Sequence, residues 1–166
     1  EGSSDLYAAT FVIDKIRWIG DANEALAITD QLKPVFERQQ PHVHGLDRWN
    51  RQRVPFFESL NRTEEALKLW RQLAEAAPED VNRQTRYADF LARTGDAASG
   101  YKWLRKLLDG DAQWTDYQEN EIRSSYVAML NEQGRVDDAL TFVEEWIKTD
   151  AADQSAFGRY LSSLIF

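Results

Sequence analysis

With 166 residues, of which 43% are hydrophobic and 29% charged, the chain can close one continuous core and is ordinary for a globular protein. A net charge of −8 argues against duplex nucleic acid, because neutralised phosphates supply most of that affinity. The absence of Cys excludes disulfides and thiolate metal sites but leaves the compartment open. No apolar run approaches the roughly 18 residues of a membrane span, and no signal peptide opens the chain. Residues 1–4, EGSS, read as a disordered end or expression scar, and the apolar close LSSLIF suggests a piece of a longer protein.

The first predicted hairpin covers 5–39. Phe11, Val12, Ile16 and Ile19 form an apolar stripe at helical spacing, and Gly20 ends that helix in a left-handed turn. Asp21 caps the next helix with Glu24 as capping-box partner, and Pro34 kinks or ends it. The second hairpin, 47–80, leads with Val54, Phe56, Phe57 and Leu60. Pro55 either starts or bends that helix. Asn61 makes the turn, Thr63 is the expected N-cap, and Pro78 closes the second helix. The third hairpin, 81–114, uses Tyr87, Ala88 and Leu91, then Gly95, then Tyr101, Leu104 and Leu107. The fourth, 116–153, runs through Tyr126, Val127 and Leu130 to Gly134, then Ala139, Leu140, Val143 and Trp146. A lone helix, 154–166, carries Phe157, Tyr160, Leu161 and Leu164.

The turn residues Gly20, Asn61, Gly95 and Gly134 are equivalent landmarks. Five residues after each comes a small one: Ala25, Ala66, Gly100 and Ala139. Two helices approach closely only where one presents Ala or Gly to a large neighbour, so these positions should be buried. The spacings reduce to a 34-residue period broken by two inserts, QPHVHGL before Asp47 and TDYQE after Trp114, both expected between hairpins.

This pattern resembles the tetratricopeptide repeat family. Residues 47–80 carry the likeness best, through Phe57, Ala66, Trp70 and Pro78. Residues 81–114 follow through Tyr87, Ala88, Leu91 and Leu104, with Gly100 for Ala and Ala112 for Pro. The segment from Asn120 matches through Val127, Leu130 and Ala139, with Ala151 for Pro, and the first hairpin has Thr29 where an aromatic is expected. The resemblance implies an all-α, right-handed solenoid of helix-turn-helix hairpins over 5–166, whose leading helices line a concave groove. It implies a non-enzymatic scaffold that holds a partner protein or peptide. The alternative is a carbohydrate-binding or assembly module of a bacterial envelope or export protein.

Residues off the apolar stripes would face that groove: Tyr7, Thr10, Asp14 and Trp18, then Arg48, Arg51 and Glu58. Asn82, Thr85, Arg86, Asp89 and Arg93 follow from the third hairpin, and Glu121, Ser124, Asn131 and Glu132 from the fourth. Arg48, Arg51, Arg83, Arg86 and Arg93 together suit an anion, or else form a solvated face balanced by acids. In the carboxylate clamp of some family members, Arg51 and Arg86 would fall near two places, but Pro55 and Ser125 replace an expected Asn and Arg. The expected partner is therefore an acidic or polar segment near Arg51 and Arg86. Trp18, Trp49, Trp114 and Tyr117 lie at helix ends or inserts and are candidates for exposed contact with peptides or sugar rings. His42 and His44 lack further His for a metal site. Acid pairs such as Glu64–Glu65 and Asp137–Asp138 diverge on their helices. No nucleophile-elbow, phosphate-loop or dinucleotide motif occurs, so no enzyme, cofactor or metal is expected.

Overall fold

A computed structural model describes residues 2–38 and 42–149. The expected helix 154–166 lies outside the described residues. Among these the chain is all-α, with nine helices and no strand. They divide into two compact units, one up to Ala76 and one from Ala77 onward.

The first unit holds α1 (Gly2–Ile19), α2 (Ala22–Gln31), α3 (Lys33–Glu37), α4 (His42–Ser59) and α5 (Thr63–Ala76). α1 opens at Gly2, three residues before the expected start. Its buried stripe is Ala9 and Ile13, with half-buried Leu6 and Ile16, at helical spacing. Phe11 and Val12, expected in that stripe, are exposed instead. Apolar residues occur on both sides of this helix, so periodicity alone placed Ile16 but not Phe11 and Val12. Asp21 caps α2 by accepting from the Asn23 and Glu24 amides at 2.8 and 3.2 Å. The break after α2 falls at Leu32, and Pro34 stands in the first turn of α3, where its missing N–H costs nothing. Pro55 lies inside α4, which continues through it to Ser59. Thr29, placed where an aromatic was expected, is buried and donates its hydroxyl to the Ala25 carbonyl at 2.8 Å. The aromatic comes from α4: Trp49 Nε1 donates to the Thr29 carbonyl at 3.0 Å, with Arg53 stacked over the indole at 4.3 Å.

The second unit holds α6 (Val81–Arg93), α7 (Ala97–Asp109), α8 (Asp116–Glu132) and α9 (Val136–Thr149). One core cluster joins Val81, Ala88 and Ala92 of α6, Leu104 of α7, and Ile122 and Met129 of α8. A second joins Val127 and Leu130 of α8 to Ala139 and Val143 of α9. Burying each of Leu104 and Ile122 contributes about 1.5–3 kcal/mol. Leu140, expected in the α9 stripe, is exposed.

Three hairpins share one turn. Arg62 N–H donates to Phe57 O at 2.9 Å and Asn61 N–H to Glu58 O at 3.1 Å; Asp96 and Gly95 repeat this onto Leu91 and Ala92, and Arg135 and Gly134 onto Leu130 and Asn131. This is the Schellman pattern, which needs a left-handed residue at its centre. Asn61, Gly95 and Gly134 supply it at φ of 54°, 99° and 71°. Gly20 does not; it ends α1 with an ordinary helical bond onto Ile16, because α2 begins after only Gly20 and Asp21. Asn61→Val is therefore expected to cost about 1–2 kcal/mol and Asn61→Gly to change little, read by chemical denaturation.

In all four hairpins the amide of the small residue closes the first turn of the second helix. Ala25 donates to Asp21, Ala66 to Arg62, Gly100 to Asp96 and Ala139 to Arg135. All four small residues are buried, as expected. Arg62 thus holds the cap position predicted for Thr63, which is the first residue of α5. Arg62 also donates to Glu65 at 2.7 Å, and that bond holds the Glu65 carboxyl below its usual range.

Both inserts lengthen leading helices rather than loops. α4 has 18 residues and α8 has 17, against 13 for α6. At α8 the reason is Thr115, which forms a full capping box with Gln118. The helix therefore starts inside TDYQE.

Candidate functional site

In the second unit, α6 and α8 both pack on α7 and on each other. Between them lies an open recess of about 340 Å³, lined by Asn82, Thr85, Arg86 and Asp89 from α6 and by Ser125, Ala128, Met129 and Glu132 from α8. The α6 set repeats at three and four residues, one helical face. Met129 and the buried Thr85 form its floor, and Thr85 donates its hydroxyl to the Val81 carbonyl at 3.0 Å.

Asn82, Arg86 and Asp89 were named as groove residues and line the recess; Arg93 lies one turn further on and pairs with Asp89 at 2.9 Å. Of the α8 residues expected to face the groove, Glu132 lines the recess, and Glu121, Ser124 and Asn131 do not. Ser124 and Asn131 fall on the face of Val127, which packs against α9, and the Ser124 hydroxyl is buried. Ala128 and Met129 were missed, and Ser125 entered only as the residue replacing an expected Arg, although the landmark offset from Gly95 to Gly134 carries Arg86 onto Ser125 and Asp89 onto Ala128.

The arginines are mostly engaged with carboxylates on or beside their own helices. Arg51 pairs with Asp47 at 3.3 Å, Arg83 with Asp80 at 2.8 Å, and Arg93 with Asp89. Arg83 is drawn back onto the residue that caps α6, away from the recess. Arg86 differs: its Nε donates to the neutral Asn82 Oδ1 at 3.0 Å, and among the described residues no carboxylate pairs with it. Asn82 and Arg86 are exposed, so their remaining N–H groups meet solvent.

In the first unit, Tyr7 (73% exposed), Asp14 and Trp18 (85%) share one open face of α1 with Phe11 (52%). By the turn landmarks, these four stand where Asn82, Arg86, Asp89 and Arg93 stand on α6. Arg48 is half-buried and Arg51 exposed, both on α4. Trp49 and Trp114 are half-buried, Trp114 donating Nε1 to the Leu107 carbonyl at 3.0 Å, whereas Tyr117 is exposed. His42 and His44 lie in the first turn of α4, where side chains are not described.

A second recess of about 250 Å³ lies between α7, α8 and α9 and was not anticipated. Arg105 pairs with Asp109 at 3.0 Å, and Arg123 pairs with Glu119. The two guanidiniums stand over Phe142 and Trp146. Both cations are satisfied internally, which makes this a packing device of the hairpin.

No protein-family model matches the chain, and no curated protein matches it. Fold and site together define an all-α hairpin protein with a polar recess between two leading helices. Among the described residues no helix is long and apolar enough to cross a membrane.

Proposed function

We propose that the chain is a non-enzymatic binding scaffold of the tetratricopeptide class. Its hairpins wind within each unit in the right-handed sense of that class, and α6 and α8 hold a segment of a partner protein or peptide. The observation that carries this reading is the recess itself. Two leading helices wall it, its floor is part apolar, and its walls offer donors at Asn82 and Arg86 and acceptors at Asp89 and Glu132. Hydrogen-bonding groups spaced along a groove suit an extended backbone better than a compact small molecule. None of the lining residues named carries a ring, which favours peptide over sugar at this site. The exposed Tyr7, Phe11 and Trp18 on α1 favour a second reading, carbohydrate contact or assembly, for that face.

Panning the protein against a displayed library of random peptides tests the groove. Ala128 is exposed on its wall, so Ala128→Trp fills the space without entering the core. Enriched peptides are expected to lose at least about tenfold in affinity for that variant, equivalent to about 1.4 kcal/mol. Equal binding by both proteins would remove the groove from consideration.

A further inference from the structure

We propose that the α6–α8 recess selects a dipolar peptide segment: an acidic group held by Arg86 and Asn82, and a basic group about two residues away held by Glu132. This rests on the peptide-binding reading and names the chemistry of the partner. Among the described residues the cation of the recess is uncompensated, since Arg86 bonds there only to the neutral Asn82 amide. That bond occupies Nε and leaves both terminal guanidinium nitrogens, the pair that takes a carboxylate in bidentate fashion.

The anion is uncompensated as well. Glu132 is exposed, and no cation pairs with it among the described residues. It is the last residue of α8, where the negative end of the helix dipole disfavours a carboxylate. Asp89, one turn beyond Arg86, already shares its charge with Arg93. An added Cβ at Gly100 would touch both the Ala88 carbonyl and the Met129 sulfur, which puts Ala88 and Met129 at nearly one level of the unit. Arg86 lies two residues before Ala88, and Glu132 three after Met129. With a helical rise of 1.5 Å per residue, those five residues separate the two positions by about 7.5 Å along the recess. An extended peptide covers that distance in about two residues, which also leaves both side chains on one face of the chain. Among the described residues no ion pair joins the two groups, and both line the recess, where each can meet the opposite charge of a ligand.

The test is fluorescence anisotropy with the full chain and labelled hexapeptides blocked at both ends, so that chain termini add no charge. One probe carries Glu and Lys two residues apart, one carries them adjacent, one replaces both with Gln, and two carry paired Lys or paired Glu at the wider spacing. The spaced Glu/Lys probe is expected to bind about tenfold or more tightly than the Gln probe, with the adjacent probe between them. Arg86→Glu should transfer the preference to the paired-Lys probe, and Glu132→Arg to the paired-Glu probe. Both positions are exposed, and circular dichroism confirms that the variants remain helical. Binding that Ala128→Trp abolishes but that ranks the probes identically for all charge variants would overturn the dipolar proposal and leave the groove standing. Failure of every probe to bind, with Ala128→Trp indistinguishable from the native chain, would overturn both.

Discussion

Gly100→Ala is expected to lower stability by about 1–2 kcal/mol, the reverse of what helix propensity alone demands. Glycine in a helix interior costs about 1 kcal/mol relative to alanine, so an unconstrained site would be stabilised by the change. At Gly100 the added Cβ would stand 2.7 Å from the Ala88 carbonyl oxygen and 3.1 Å from the Met129 sulfur. The sulfur sits on a flexible side chain and can yield. The carbonyl belongs to the backbone of α6 and moves only if the helix does. Overpacking of that kind costs about 1–3 kcal/mol or more, enough to exceed the propensity gain. In a unit of this size the melting temperature should fall by about 4–8 °C per kcal/mol. Gly100→Val should fall further, because it adds two more carbons at the same contact. A calorimetric scan that shows Gly100→Ala melting higher than the native chain would mean that α6 and α7 are not in close contact here. The same geometry explains why the third hairpin carries Gly where the second and fourth carry Ala66 and Ala139: α7 approaches the α6 backbone too closely for any side chain.

Gln84→Leu is expected to cost about 2–4 kcal/mol although it replaces a polar group in the core with an apolar one of similar size. Gln84 is 1% exposed. Its amide nitrogen donates to the Ala77 carbonyl at 3.0 Å, and its oxygen accepts from Trp103 Nε1 at 3.0 Å. One side chain thus ties the residue leading into α6 to the middle of α7. Leucine would leave one buried donor and one acceptor without those partners, each worth about 1–3 kcal/mol. Trp103 also meets Tyr87 edge-on at 4.8 Å, so its ring is fixed and has little freedom to find another acceptor. Trp103→Phe in the Gln84→Leu background should recover part of the loss, since it removes the orphaned donor. A double-mutant cycle by urea denaturation measures this, with a coupling of about 0.5–3 kcal/mol expected. Additive effects would show that the two side chains act independently.

Much of this arrangement is legible before any coordinates, and the exceptions share a cause. The turns at Asn61, Gly95 and Gly134 are local events: a left-handed residue and two backbone bonds to the preceding turn, all within six positions of chain. The small residues five positions on follow from hairpin geometry, and their burial was foreseeable for the same reason. The α6 wall of the recess was also legible, because α6 has one strongly apolar side and its polar side is what remains.

The α8 wall was harder. α8 packs against α6, α7 and α9, so polar residues line its buried faces as well as its open one. Ser124 and Ser125 differ by about 100° around the helix, and nothing in their identity says which of them faces the recess. Similarly, Phe11 and Ile13 are both apolar, and only the elements packed on α1 decide that Ile13 is covered and Phe11 is not.

By itself the sequence determined the all-α class, the places where the chain reverses and the positions of closest helix contact, since each depends on neighbours within a turn or two. Tertiary structure alone decided which helix faces were covered, that Trp49 would stand in for the aromatic missing at Thr29, and that Gly100 could carry no side chain. Those outcomes are set by groups a dozen or more residues distant along the chain, whose approach no local propensity encodes.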